Sequence, residues 1–404
     1  MQTSLAWPIP VVWIVALVSS SCARVVEPAA SGSGGAGRGV STIGSSSALV
    51  GSTTGAGGGS VGPLGCVGSG LFVGAGSPSI SKASLRGPDG WLASHQGPPA
   101  REVAAVLDPY EHFSLFRIGL DGAPSYVRTG DGATYEEHPV EGFAPLDSLA
   151  SPRSFGDVTT ILLGRTAEGP TLAMFDPDAF DWYGWQSVPS GFDVTSSIAL
   201  SSQSGITVAG RGPSGTLCWG DGPFSGPLTG TSCLPDAAPS GGEIPVTPPS
   251  VVSLLGGDEV FFYFSSAGGA VSARTRHAGV FGPASTLADH RIGVRFAATA
   301  TRLGDALLVV SATSGELSIA RYDTVKGFGP LVHVASDAGI ESPLAATPGV
   351  CGNDALFAYV AETDHDLVRV VRVSGMAALA EDALAFAPGD RVLAVDLATK
   401  KASD

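Results

Sequence analysis

Over most of the chain, short apolar runs alternate with polar positions at a period of two. Three stretches show the pattern best: "GGDEVFFYFSSAGGAVSARTRHAGVFGPASTL" from Gly256, "LGDALLVVSATSGELSIARYDTVKGFGPLVHV" from Leu303 and "GNDALFAYVAETDHDLVRVVRV" from Gly352. In each, a Gly/Asn-Asp turn leads into an apolar-aromatic strand. A small polar turn follows, and then a second strand with Arg on one face. Alternation over four to eight residues between Gly-rich turns predicts antiparallel β-hairpins. The acidic markers Asp258, Asp305 and Asp354 stand 47 and 49 residues apart. The same grammar recurs upstream at "GSGLFVGAGSPSISKASL" near Gly68, "LDPYEHFSLFRIGLDGAPSYVRT" near Tyr110, "FGDVTTILLGRTAEGPTLAMF" at Asp157 and "SQSGITVAGRGPSGTLCW" near Gly205.

After the second strand, many units place an aromatic residue beside small residues and proline: "GFAP" at Gly142, "PFSGP" at Pro223, "VFGP" at Val280 and "GFGP" at Gly327. A repeat of about 48 residues with some four short strands is the size of a propeller blade. A lone four-stranded sheet cannot bury both faces, whereas radially stacked sheets cover one another. The expected fold is therefore all-β, a β-propeller spanning residues 66–404 with seven four-stranded blades, or six as the fallback. The strand Arg391 to Leu397 either completes the last blade or pairs with the first as a closing clasp. With 56 glycines and 29 prolines among 404 residues, long helices are disfavoured, and 44% hydrophobic content supports a large core.

The N-terminus follows a different pattern. Leu5 to Val18 is an uncharged block of 14 residues, shorter than a membrane span and suited to a secretory signal over residues 1–21. Ser19, Ser20 and Ser21 then precede Cys22, an order that resembles the lipobox of bacterial lipoproteins. The resemblance implies cleavage before Cys22 and a diacylglycerol on its sulfur. Ser19 stands where that family prefers Leu, and "MQTS" lacks Lys and Arg. Ordinary signal cleavage with release, or an uncleaved anchor, are the alternatives. Residues 22–65, rich in Gly and Ser, read as a disordered tether with a reach of roughly 35 Å.

With Cys22 assigned to lipid, Cys66, Cys218, Cys233 and Cys351 remain, an even set that reads as two disulfides in an oxidising compartment. Cys218 and Cys233 flank a turn-rich segment and form the natural local pair. Cys66 and Cys351 then join equivalent positions in the first and last units, with two free thiols as the alternative.

The units resemble blades of bacterial propellers of the lectin and sialidase-like type, in which a turn-aromatic motif ends each blade. The resemblance covers most of residues 66–404 and is one of pattern. The sharper Trp-rich repeat of fucose-binding propellers is absent, so no sugar site is carried over.

No catalytic set emerges. "GGSVG" (58–62) matches a nucleophile elbow but lies in the tether, and "SISK" (79–82) lies in a strand. The sialidase Asp-box is missing, and most arginines occupy alternating strand positions, as solvated faces would place them. The histidines are scattered, and "ETDHDL" (362–367) reads as an exposed turn; no metal or cofactor is expected. The segment "DPDAFDWYGW" (176–185) has the most recognition character. Trp182, Tyr183 and Trp185 could stack on a ligand while Asp178 and Asp181 accept hydroxyl hydrogen bonds.

A formal charge of −15 argues against nucleic acid and leaves any membrane contact to the N-terminal lipid. The expectation is an exported cell-envelope protein, anchored at the outer membrane or else periplasmic or secreted, whose propeller binds glycans or envelope and extracellular proteins. The alternatives are a propeller glycoside hydrolase and a structural envelope protein without a small ligand.

Overall fold

The structure is a computed structural model that describes residues 70–400 apart from internal stretches, among them 140–144, 155–160, 177–180, 188–197, 212–216, 224–228, 235–248, 265–269, 288–294 and 350–353. Cys22, Cys66, Cys351, Asp178 and the tether lie outside the described residues. Within them there is no helix, and the strands form seven sheets, predominantly antiparallel. The sheets take their order from the chain, and the seven predicted hairpins supply their middle strands.

Described middle strands such as Phe113–Ile118, Ala306–Ser311 and Asp354–Val360 are buried on both faces because they lie between two neighbouring sheets. In Ala306–Ser311, residues Ala306, Leu308 and Val310 pack towards the fifth sheet, against Phe262, Phe264 and Tyr322 of the shared core. The intervening Leu307 and Val309 pack towards the seventh, against Phe357 and Tyr359. Two apolar half-patterns thus merge into the continuous run "ALLVV". At about 25 cal/mol per Å², such double burial is the main stabilising term of the architecture.

The same relation repeats along the chain. Phe72 stacks on Phe113 at 5.1 Å between the first and second sheets. Phe116, Leu146, Leu162 and Trp182 join the second to the third. Strand Ile198–Ser201 of the fourth lies against Leu146–Ala150 and Ile161–Thr166 of the third. Ala209 and Leu217 meet Val251 and Phe261 between the fourth and fifth. Finally Leu356, Ala358 and Val360 of the seventh sheet pack on Leu71, Val73 and Ala75 of the first. Between the first and second sheets Gly74 allows a close approach, since an added Cβ there would lie 1.9 Å from Cδ1 of Leu115.

The first sheet is built from both ends of the domain. Strand Ala394–Thr399 pairs antiparallel with Leu71–Gly76, in a register running from Leu71 opposite Thr399 to Gly76 opposite Ala394. Of the two positions open to the C-terminal strand, the structure selects the N-terminal partner.

Among the described residues, acidic side chains cap part of the open backbone edge left by the first strand of a sheet. Asp396 accepts a hydrogen bond from the Ala105 amide at 2.9 Å, and Glu102 accepts one from the Leu149 amide at 2.8 Å. Burial pushes the Glu102 carboxyl up to about 7, against the opposing pull of the Leu149 amide and Arg101. The short strand Arg153–Ser154 covers the edge of Ser250–Ser253 by a parallel pairing.

Candidate functional site

Two cross-strand pairs on facing sheets build the most organised polar site among the described residues. In the fourth sheet Thr207 is opposite Asp221, and the Thr207 hydroxyl donates to Asp221 Oδ1 at 2.9 Å. In the fifth, Glu259 is opposite Arg276. Arg276 joins all four. Its Nε donates to Glu259 Oε2 at 2.8 Å, Nη1 to Asp221 Oδ2 at 2.8 Å, and Nη2 to Thr207 Oγ1 at 2.7 Å and also to Glu259.

Arg276 is 7% exposed, and its guanidinium has an aromatic backing. It lies 5.3 Å from the Phe261 ring centroid and 5.9 Å from that of Phe281, and Trp219 packs edge-on against Phe281 at 4.7 Å. A cleft of about 640 Å³ opens over this cluster. Gly205, Gly222, Gly257 and Gly279 line it with little side-chain bulk. Ala278, at φ 47°, and Gly279, at φ 83°, make the tight turn at its rim. The volume falls in the range of small-ligand sites.

The wall carrying Asp221 is braced covalently. Cys218 and Cys233 are opposite each other on Leu217–Gly222 and Thr229–Cys233 and form a disulfide, the local pair expected from their spacing.

The same seam geometry recurs in part. In the first sheet Arg86 is opposite Trp91, and both donate to Asp382 of the seventh, at 2.6 and 3.1 Å. In the sixth sheet Tyr322 is opposite Phe328, and its hydroxyl meets that of Thr275 in the fifth at 3.2 Å. An end-of-strand polar group beside an aromatic of the outer strand is therefore a repeated seam contact. The turn-aromatic motifs at Val280 and Gly327 supply two of these aromatics, Phe281 and Phe328.

The arginines correct an expectation. Arg86, Arg117, Arg128, Arg276 and Arg372 are buried, each with a carboxylate partner. Alternation places them on one face, but that face is covered by the next sheet. Arg117 illustrates the point: it binds Glu137 and donates to Ser81 of the neighbouring sheet at 3.2 Å. Burial works to raise the Glu137 carboxyl, yet the hydrogen bonds from Arg117 and His95 outweigh it and hold it below the ordinary value.

A second, smaller cleft of about 470 Å³ lies beside the second sheet, lined by Tyr110, Glu111, His112, Arg128, Asp131 and Lys400. Lys400 pairs with Glu111 at 2.6 Å and Arg128 with buried Asp108 at 2.6 Å.

Of the aromatic-acidic segment, Trp182 is 9% exposed and meets Phe116 edge-on at 5.0 Å, within the core between the second and third sheets. Asp181, Tyr183 and Trp185 lie in the outer strand Asp181–Ser187, where Tyr183 is opposite Met174. Thr207, Asp221, Glu259 and Arg276 were not singled out by sequence. Glu259 follows the Asp258 marker, and Arg276 belongs to the alternating strand of the same unit, so the signal lay in their register.

These sheets define an all-β protein of the propeller class. The fold is similar to that of BP39L lectin from Burkholderia pseudomallei, with a TM-score of 0.58 at 15% identity over 80% of this chain and 99% of the lectin. It is also similar to AofleA from Arthrobotrys oligospora, with a TM-score of 0.51 at 11% identity over 75% of this chain and 91% of that one. No family model matches the sequence, and no curated protein matches it.

Proposed function

We propose that this chain is a glycan-binding protein whose seven sheets are the blades of a closed propeller, and that it binds without cleaving. The carrying observation is the cleft over Arg276, in which Thr207, Asp221 and Glu259 present a fixed polar array beside aromatic rings. Sugars are recognised by such arrays: acceptors take hydroxyl hydrogen bonds, and pre-organised side chains lose little entropy on binding. The likeness in fold to a protein described as a lectin points the same way. Hydrolysis is less well served. A glycosidase sets two carboxyl groups apart on either side of the scissile bond, whereas Asp221 and Glu259 are held together by one guanidinium.

The seven-blade count is supported by the packing of seventh sheet on first and by the two-ended first sheet. Export, cleavage before Cys22, lipidation of Cys22 and the tether to residue 65 complete the proposal and rest on the sequence. A Cys66–Cys351 disulfide belongs to it as well. Their described neighbours support it: Gly70 leads into Leu71–Gly76 and Asp354 opens Asp354–Val360, equivalent strands of the adjoining first and seventh sheets.

The test is a glycan array probed with the full chain carrying Cys22→Ser, alongside the same chain with Thr207→Val and Asp221→Ala. Binding by the first and its loss in the second supports the reading. Absence of binding, or turnover of a glycoside panel, overturns it. Fractionation of cells tests the anchor: the unaltered chain should sediment with membranes and Cys22→Ser should be soluble.

A further inference from the structure

We infer that the Arg276 cleft selects ligands by charge: it accepts neutral and amine-bearing saccharides and rejects those carrying a carboxylate or sulfate. This rests on the glycan-binding reading and names the class of sugar. A buried arginine in a sugar site would ordinarily suggest the opposite, because guanidinium is the usual partner of carboxylates and sulfates. Here its capacity is already taken. Of the five N–H donors of a guanidinium, four point at Glu259, Asp221 and Thr207. Its Cζ also lies over the Phe261 and Phe281 rings, 5.3 and 5.9 Å from their centroids.

What the cleft offers to solvent is acceptor capacity. The Asp221 side chain is 43% exposed, while that of Glu259 is 12% exposed and that of Arg276 8%. Two carboxylates against one guanidinium leave these three groups with a net charge of −1, in a chain of formal charge −15. A sugar hydroxyl or ammonium approaching Asp221 donates into that surplus. A sugar carboxylate meets a like charge at Asp221, while Arg276 already gives four of its N–H donors to other groups. At close approach such repulsion weakens binding roughly tenfold or more, and salt screens it only partly inside a recess. Asp221 is therefore the specificity-determining residue, with Glu259 as the buried counterweight that keeps Arg276 occupied.

The experiment is an array that prints neutral cores beside their charged derivatives: N-acetyllactosamine with its sialylated and sulfated forms, xylo-oligosaccharides with and without glucuronate, and chitin beside chitosan oligomers. The Cys22→Ser chain should bind neutral or amine-bearing members at least tenfold more tightly than the matching acidic ones. Asp221→Asn should raise the relative affinity for the acidic members, a gain that a misfolded variant cannot produce, and Glu259→Gln should shift it in the same direction. Equal or tighter binding of acidic members by the unaltered chain overturns this inference and leaves glycan binding standing. A preference unchanged in both variants overturns its assignment to this cleft. No binding to any printed glycan overturns both readings.

Discussion

Asp221 and Arg276, 55 residues apart, meet at 2.8 Å across the seam between the fourth and fifth sheets. The bond joins two cross-strand pairs, so that the same contact holds adjacent sheets together and shapes the floor of the cleft.

Arg276→Ala should therefore destabilise the fold. It strands Glu259 beside aromatic rings and removes the seam contact, and loss of one member of a largely buried ion cluster costs about 3 kcal/mol. Denaturant titration should show a lower midpoint with an unchanged slope. Arg276→Lys should recover only part, since one ammonium cannot reach three partners in a plane. A neutral outcome for Arg276→Ala would show that the cluster does not bind the sheets.

Glu102 predicts a pH dependence. Its carboxyl titrates near 7 when folded, against 4.5 ordinarily, because burial disfavours its charge. Between those values unfolding releases a proton, so stability is highest below about pH 4.5 on this account and declines as pH rises through 7. The difference corresponds to about 3 kcal/mol. Glu102→Gln, which can still accept from the Leu149 amide, should flatten the stability profile between pH 5 and 8 and raise the melting temperature at pH 8. A profile identical to that of the unaltered chain would refute the assignment.

Replacing Cys218 and Cys233 together by serine removes a short covalent loop and should lower stability by about 3 kcal/mol on the chain-entropy account. Because the disulfide holds the strand bearing Asp221 to its neighbour, glycan affinity should fall as well. Non-reducing peptide mapping should recover the Cys218–Cys233 link, and recovery of either cysteine with another partner would contradict the pairing.

Asp396→Ala should cost more than an ordinary surface change. It leaves the Ala105 amide without its acceptor and removes the contact to Ser151, recorded at 3.4 Å. An orphaned buried donor costs about 1–3 kcal/mol. Amide exchange should accelerate first at Ala105, and uniform acceleration across the domain would argue against a local capping role.

The hairpins were legible because each carries its own punctuation. Gly-Asp turns and apolar runs at Glu259–Phe264, Ala306–Ser311 and Asp354–Val360 are local signals. The all-β class followed from them. Seam chemistry was not legible, because a period of two tells which residues share a face and not what covers it. Arg276 and Arg117 therefore looked like surface arginines. Trp182 was likewise read by its chemistry, while its burial depends on Phe116 in another sheet. The partner of Ala394–Thr399 is not legible locally, because nothing near that strand encodes a pairing with Leu71–Gly76.

That pairing has a temporal consequence. Among the described strands Leu71–Gly76 is the first to leave the ribosome, and its hydrogen-bonding partner on one side, Ala394–Thr399, is the last. Until Ala394–Thr399 has been made, one edge of Leu71–Gly76 stays open, so chains terminated before it are natural clients for chaperones and proteases. The architecture thereby makes synthesis through Ala394–Thr399 a condition for sealing that edge, and quality control can read its absence directly from the exposed strand.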